Sequence, residues 1–105
     1  MHIVVFVTAK DEQEAGKIAE GLVQNKLIAC ANIVSGIKSV FRWEGKVDRA
    51  QECLLILKSK KTLFSKIVKT VKSLHSYDTP EIIALPIVEG SKGYLDWMDG
   101  SVAKS

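Results

Sequence analysis

The sequence has little of what would assign it to a specialised class. Two cysteines in 105 residues are too few for the disulfide framework of a small secreted protein, so we expect reduced thiols. The apolar run from Ile3 to Val7 spans five residues, whereas a membrane helix needs about 20 and a signal peptide needs a longer apolar core. A net charge of +3 is too small to indicate nucleic acid. We therefore expect a cytoplasmic protein whose partners include neither a membrane nor a nucleic acid.

Motifs of catalysis and cofactor binding are also missing. The sequence holds no P-loop, no dinucleotide fingerprint and no C-x-x-C pair. A cysteine and a histidine could form a nucleophile and its base, but no motif supplies an orienting residue or an oxyanion hole. The third predicted strand has no aromatic residue between Cys53 and Leu57, which disfavours an RNA-recognition sheet. These absences predict that the chain is not an enzyme.

What the chain does contain is a regular alternation of strand and helix patterns. Short β-branched runs indicate strands, and apolar residues spaced three and four apart indicate helices. Asp11, followed three residues later by Glu14, is typical of a helix N-terminus, and Asn25 of a helix end. The predicted strands cover residues 3–7, 27–43 with an interruption at 35–36, 47–58 and 82–88, and the predicted helices cover 11–25, 63–74 and a short segment after Ser91.

The resulting β-α-β-β-α-β order is that of the ferredoxin-like fold, an α+β architecture with an antiparallel sheet. We expect one domain over residues 1–105, with the short third helix at its C-terminal end. Gly45, after Glu44, permits a tight turn that closes a long hairpin of the second and third strands. Pro86 cannot donate to a sheet ladder, and it is tolerated because the fourth strand of this fold lies at an edge.

Several strands are apolar on both faces, although two helices can cover only one. Leu54 and Ile56 point to one side of the third strand, and Leu55 and Leu57 point to the other. Leaving about six such side chains in water would forfeit roughly 9–18 kcal/mol, compared with a domain stability of about 5–15 kcal/mol. We therefore expect further copies of the chain to cover the second face.

The hairpin is also longer than the helix that is predicted to pack against it. From Leu27 to Trp43 an extended strand would reach roughly 56 Å, whereas the first predicted helix reaches only about 22 Å. Phe41 and Trp43 lie near the hairpin tip. Such large aromatic groups either fold back on their own core or anchor a contact between subunits. We favour the contact between subunits.

Four segments carry a resemblance to a known family. They are LIACANIVSG, FRWEGKV, LHSYDTPEIIALPI and GYLDWM, and in this order they resemble segments of the CutA family, the divalent-cation tolerance proteins. The W-E-G-K turn combined with H-x-Y-x-x-P-E is the most specific part, and the match covers nearly the whole chain. The resemblance implies a ferredoxin-like subunit in a homotrimer, cytoplasmic in bacteria and linked to tolerance of copper and other divalent metals. It brings no enzymatic reaction.

The resemblance also implies a set of site residues. The family's polar cluster, thought to line a cleft between subunits, maps onto Cys30, Lys58, His75, Tyr77 and Glu81, with Trp43 in the hairpin. Some members have a cysteine in the first strand and a second histidine before the tyrosine, both offered as copper ligands. This chain has Val7 and Leu74 there, and Ser76 replaces a common proline.

We therefore expect a homotrimer that binds a divalent cation, with Cu(II) among the ions considered and with His75 and Cys30 as metal ligands. Thiolate and imidazole suit copper and zinc. Lys58, Tyr77 and Glu81 would line the cleft. The alternative function is a trimeric regulatory module of the PII-like kind, which binds a small ligand between subunits; a pure assembly scaffold is a third.

Each site residue also has a structural interpretation. His75 ends a predicted helix, where its ring can bond a free carbonyl. Cys30, between two alanines, can be a small buried hydrophobe. Lys58 can mark the exit of a strand into water, and Tyr77 with Glu81 can fix the turn at Pro80.

Overall fold

Residues 1–104, which are those that the computed structural model describes, form four strands and three α-helices in the predicted order. The strands are β1 (His2–Ala9), β2 (Cys30–Trp43), β3 (Lys46–Lys60) and β4 (Ile82–Pro86). The helices are α1 (Glu12–Gln24), α2 (Phe64–Leu74), which follows a 3-10 turn over Lys61–Leu63, and α3 (Lys92–Ser101).

The sheet has the order β2-β3-β1-β4, and every neighbouring pair is antiparallel. This arrangement confirms the ferredoxin-like α+β fold. Because β4 pairs only with β1, it is an edge strand, and Pro86 lies opposite Ile3 on it. The strand ends at Pro86 rather than at the predicted Val88, although the Ile87 N–H still donates a hydrogen bond of 2.9 Å to the His2 carbonyl.

Helices α1 and α2 cover one face of the sheet. Alternate residues of β1 and β3 point to that face and are buried, as expected for strands with a period of two. They pack against the apolar stripes of the two helices. The largest fully buried side chains of this core are Ile18, Leu22, Ile28, Leu55, Leu57, Leu63 and Ile67.

Helix α1 begins and ends with local hydrogen bonds that its sequence supports. The Asp11 carboxylate accepts a bond of 2.8 Å from the Glu14 N–H, which confirms the predicted N-cap. After Asn25 the chain turns through Lys26, which has a φ of 57°. The N–H groups of Lys26 and Leu27 then donate to the carbonyls of Val23 and Leu22, as in a Schellman motif. This turn explains why β2 begins at Cys30 and not at Leu27.

The β2–β3 hairpin closes through a two-residue turn at Glu44 and Gly45. Both residues have positive φ, 49° and 76°, as the twist-matched turn of a tight hairpin requires. A register shift between Val34 and Ile37 interrupts the pairing, and Gly36 there has a φ of 72°. The predicted turn and the predicted interruption are therefore both confirmed.

The second face of the sheet is only partly covered by its own chain. Asp99 of α3 lies 2.9 Å from the Nε2 atom of His2 and 3.9 Å from the Nζ atom of Lys60. Both partners project from the side of the sheet opposite the α1–α2 core, so α3 covers one end of that face. Further along it, Ile83 and Leu85 remain 51% and 45% exposed. The sequence pattern did not reveal this cover by α3.

Candidate functional site

A groove lies between the hairpin and the segment that precedes β4. We call the outer hairpin, residues 37–52, the arm, and residues 77–81 the loop. The groove encloses about 840 Å³. Its lining residues are Thr8 of β1, Ser39, Val40, Phe41, Trp43, Asp48 and Glu52 of the arm, and Tyr77, Asp78, Thr79, Pro80 and Glu81 of the loop.

Strand alternation brings most of the arm residues onto one side. Phe41 pairs with Asp48 across the hairpin, and Ser39 and Trp43 lie two residues away on either side of Phe41, so all point the same way. Glu52 shares this side, four residues from Asp48. The register shift before Ile37 adds a residue to β2. It therefore sets which side Ser39, Phe41 and Trp43 face, because a shift of one residue turns every later side chain of the strand over.

His75 holds the start of the loop against β1. It ends α2, and its ring is fully buried. Its Nδ1 atom accepts a hydrogen bond of 3.0 Å from the Tyr77 N–H, and its Nε2 atom lies 2.7 Å from the Thr8 carbonyl oxygen. Since a carbonyl only accepts, Nε2 carries the ring proton. Both ring nitrogens are thus engaged in joining the loop to β1.

Glu14 of α1 completes this anchor. Its carboxylate accepts hydrogen bonds from the N–H groups of Lys10, at 3.0 Å, and Ser76, at 2.9 Å. Burial raises the pKa of Glu14, but the hydrogen bonds from Lys10 and Ser76 outweigh it. The pKa of Glu14 therefore lies below its ordinary value, and the charged carboxylate accepts the hydrogen bond from the Ser76 N–H.

Tyr77 links the loop to the arm. Its hydroxyl donates a hydrogen bond of 2.8 Å to the Oε2 atom of Glu52. Burial, followed by the bond to Glu52 and the Glu52 charge, raises the pKa of Tyr77 to about 12. Glu52 itself is only 8% exposed, so this bond satisfies one oxygen of a buried carboxylate.

Cys30 and Lys58 lie at a different place. They pair across β2 and β3, and the Lys58 Nζ atom is 3.9 Å from the Cys30 sulfur and also contacts Asn32. Thr8, which binds His75, pairs with Leu54, four residues from Lys58 along β3, or roughly 13 Å. Cys30 and His75 therefore do not meet within one chain.

The predicted site residues thus divide into three groups. Tyr77, Glu81, Phe41 and Trp43 come together around the groove. His75 lies outside the groove lining and holds the start of the loop. Its ring bonds the Thr8 carbonyl of β1, whereas its structural interpretation placed this bond at the end of the helix. Cys30 and Lys58 form the third group, away from the groove lining. Both cysteines are free thiols. Tyr77 bonds Glu52 rather than fixing the turn through Glu81.

Sequence reasoning assigned no role to the acidic residues Asp48, Glu52 and Asp78, which also line the groove. The sequence carried only a weak signal for a role of these acidic residues, because one acid beside an apolar strand is ordinary. Within residues 1–104 no three His, Cys, Asp or Glu side chains converge as a ready-made metal site. The metal roles of His75 and Cys30 stay predictions.

These features define a ferredoxin-like α+β protein whose arm and loop enclose an acidic, aromatic groove. The family model described as "CutA1 divalent ion tolerance protein" matches residues 3–101. The chain therefore belongs to the CutA1 family. The resemblance read from the sequence is confirmed.

Individual relatives agree. The chain is 48% identical over 98 residues to the divalent-cation tolerance protein CutA of Thermus thermophilus, covering 93% of this chain and 95% of the relative. It is 48% identical over 99 residues to the chloroplastic CutA of Arabidopsis thaliana, where it covers 94% of this chain but 54% of the relative. The chain thus spans about half the length of this plant relative.

Solved structures show the same fold. The Thermus thermophilus divalent cation tolerance protein superposes with a TM-score of 0.96 at 46% identity, covering 98% of this chain and 100% of that one. A protein from Archaeoglobus fulgidus described as periplasmic CutA superposes with a TM-score of 0.95 at 45% identity, again over 98% and 100%. In the described part of the present chain, no helix has the length and apolarity to cross a membrane.

Proposed function

We propose that the chain, as a single domain, assembles into a cytoplasmic homotrimer that binds divalent cations and contributes to metal tolerance. Family membership supports the relation to divalent cations. We assign the protein no reaction, and Cu(II) and Zn(II) are the ions to test first.

The main support for this assembly is the set of exposed apolar side chains on the second face of the sheet. Val34, Ile83 and Leu85 are 42%, 51% and 45% exposed there, although α3 covers part of that face. Trp43 at the tip of the arm is 58% exposed. Exposed apolar side chains gathered on one sheet face favour an interaction surface, and further copies of the chain would cover them.

Cation binding is supported by ligand chemistry and requires more than one chain. Cys30 offers a half-buried thiol, and thiolates suit copper and zinc. His75 would have to release either the Tyr77 N–H or its own bond to Thr8. Because these two residues are apart within one chain, a shared site needs groups from a neighbouring copy.

Light scattering coupled to size-exclusion chromatography tests the assembly. We expect a mass three times that of the chain at micromolar concentration. Leu85→Asp on the open face should give smaller species, whereas Lys69→Asp on the exposed side of α2 should not. A wild-type monomer would refute the assembly.

Calorimetric titration with Cu(II) and Zn(II) tests the ligands. Cys30→Ser and His75→Ala should weaken binding, whereas Cys53→Ser and His2→Ala, which change the other cysteine and the other histidine, should not. Equal affinity in all four variants would remove His75 and Cys30 from the site. A strain that lacks the protein should be more sensitive to copper or zinc, and cell fractionation tests the compartment.

A second function, the PII-like module that binds a small ligand, is favoured by the groove. Its volume of about 840 Å³ lies within the usual range of small-molecule sites, roughly 300–1,000 Å³. Its aromatic and polar lining is also typical of such sites. Calorimetric titration with nucleotides, beside Cu(II) and Zn(II), distinguishes the two functions, because nucleotide binding without metal binding would support the small-ligand module.

A further inference from the structure

We propose that an exposed row of lysines on α2 binds an acidic segment of a partner protein, rich in Asp and Glu. We call Lys66, Lys69 and Lys72 the lysine stripe. This inference goes beyond the proposed function, because it concerns the opposite side of the molecule and involves neither a metal nor the groove. It follows from the distribution of charge, from the placement of the lysines in the helix and from the residues around them.

The positive charge of the chain is concentrated in one segment. Residues 53–77 contain six lysines and no Asp or Glu, although the net charge of the whole chain is only +3. The three lysines of the stripe follow one another at intervals of three residues and therefore lie along one side of α2. All three are exposed, and they extend along about 9 Å of the helix.

The lysine stripe has no acidic neighbour to neutralise it. Among residues 1–104, no Asp or Glu forms an ion pair with any lysine of the stripe. The exposed side of α1 instead mixes the two signs, with Glu12, Lys17 and Glu20. Helix α3 likewise pairs Lys92 with Asp96. Because mixed charges are sufficient to solvate a helix, the single sign on α2 indicates a partner of opposite charge.

The lysines are also not placed to stabilise their own helix. Like charges on neighbouring positions of a helix repel, and Lys66 lies in the first turn, where the positive end of the helix dipole disfavours a cation. That turn holds no acidic residue and no side chain caps it, whereas α1 has the Asp11 cap and two acids in its first turn. Only Lys72, in the last turn, is favoured by the dipole. The lysine stripe as a whole is therefore better explained by binding than by helix stability.

The lysine stripe stays accessible in the assembly proposed above. Ile67 and Val71 on the inner side of α2 pack into the core on one face of the sheet, and the lysines lie on the exposed outer side. Further copies of the chain would cover the opposite face of the sheet. A trimer would therefore carry three open stripes.

The surroundings of the stripe favour carboxylates as the partner groups. The exposed residues of the segment 61–73 are lysine, serine and threonine, and they include no arginine, aromatic or apolar residue. Nucleic-acid bases stack on aromatic side chains, planar phosphate recognition favours arginine, and a helix enters a membrane surface through apolar side chains. Ammonium groups are compact point charges, which pair with Asp and Glu without such groups. A disordered acidic segment can follow the stripe, because it takes its shape on binding.

Fluorescence anisotropy of the full chain with fluorescein-labelled decaglutamate tests the proposal. We expect saturable binding at low salt that weakens as salt is added, since exposed charges are screened. The neutral peptide decaglutamine should not bind. Decathymidylate and phosphatidylserine vesicles, added as competitors, should displace the labelled peptide less effectively than unlabelled decaglutamate does.

Substitution of the lysine stripe identifies the surface. The triple variant Lys66→Gln, Lys69→Gln, Lys72→Gln should weaken decaglutamate binding at least about tenfold, because it removes three exposed ion pairs that each change the affinity about two- to threefold. Glutamine and lysine have similar helix propensities, so we expect the variant to fold, which circular dichroism checks. If it does not fold, Lys69→Gln alone should still weaken binding about two- to threefold.

The matched control is the triple variant Lys10→Gln, Lys17→Gln, Lys26→Gln. These lysines are exposed too, but they lie in or beside α1. The control removes the same total charge and should weaken binding less than about threefold, because the lost charges are not in contact with the peptide.

Three results would overturn the assignment. They are no saturable binding of decaglutamate, equal losses in the two triple variants, and stronger competition by decathymidylate or by the vesicles, which would assign the stripe to nucleic acid or to lipid. Failure of the trimer or of metal binding is measured separately and leaves this test intact, because one helix of one chain carries the whole stripe.

Discussion

The two faces of the sheet use the same apolar residue types but have different surroundings. On one face, Leu55 and Leu57 are fully buried beneath α1 and α2. On the other, Ile83 and Leu85 stay half exposed beyond the reach of α3. The comparison shows that an apolar strand pattern predicts burial without specifying the covering element. That element can be a helix of the same chain or, as we propose, another copy.

The sharpest test of this comparison is the same substitution on each face. Leu55→Ala should lower the free energy of unfolding by about 2–5 kcal/mol, because it leaves a cavity under the helices. Leu85→Ala should cost less than about 1 kcal/mol in dilute protein, but its effect should grow with protein concentration if the face is an interface. Urea unfolding at several protein concentrations measures both. Equal, concentration-independent losses would contradict the distinction between the faces.

The two histidines offer the next largest contrast. His75→Ala should destabilise the fold by about 2–3 kcal/mol, since it removes two partly buried hydrogen bonds and leaves the Tyr77 N–H and the Thr8 carbonyl without their partner. His2→Ala breaks only a partly exposed contact with Asp99 and should cost less than about 1 kcal/mol. Chemical denaturation compares them. Similar losses would mean that the buried ring does not anchor the loop.

The two tyrosines test the link between loop and arm. Tyr77→Phe should cost about 1–3 kcal/mol, because Glu52 loses its donor while remaining buried. Tyr94→Phe, at an exposed position of α3, should cost less than about 0.5 kcal/mol.

The Tyr94→Phe variant also isolates Tyr77 in an ultraviolet titration, where we expect a pKa of about 12. Because the folded state raises this pKa, the stabilisation is complete below the unfolded value of about 10 and is lost as the pH rises towards 12. A Tyr77 pKa near 10 would contradict burial beside Glu52.

The smallest effect concerns acid. The pKa of Glu14 is lowered in the folded protein, so its charged form adds stability above the unfolded value of about 4.3, and this stability is lost as the pH falls through the folded value. Between about pH 6 and pH 3, Glu14→Gln should therefore lose less stability than wild type. Glu12→Gln, exposed in the same helical turn, should follow wild type. Identical curves for Glu14→Gln and wild type would refute the role of this carboxylate.

Most of the fold was predictable because its signals are local. Asp11 caps α1 through a bond to a residue three positions away, and Gly45 permits the hairpin turn through its own φ. Pro86 indicated the edge strand because its missing N–H is a property of the residue itself. The predicted ends of β2 and β4 were less accurate. The start of β2 was missed because the Schellman turn at Lys26 uses a non-glycine residue in the left-handed conformation.

The sequence by itself determined the element order, the apolar stripes and the family, because hydrophobic periodicity and short motifs are properties of neighbouring residues. Only the tertiary structure decided that His75 turns inward to hold the loop and that Cys30 lies elsewhere on the sheet. It also decided that Glu52 faces the groove beside Tyr77. These two residues are 25 positions apart, and their contact depends on how the loop packs against the sheet, which a local pattern does not encode.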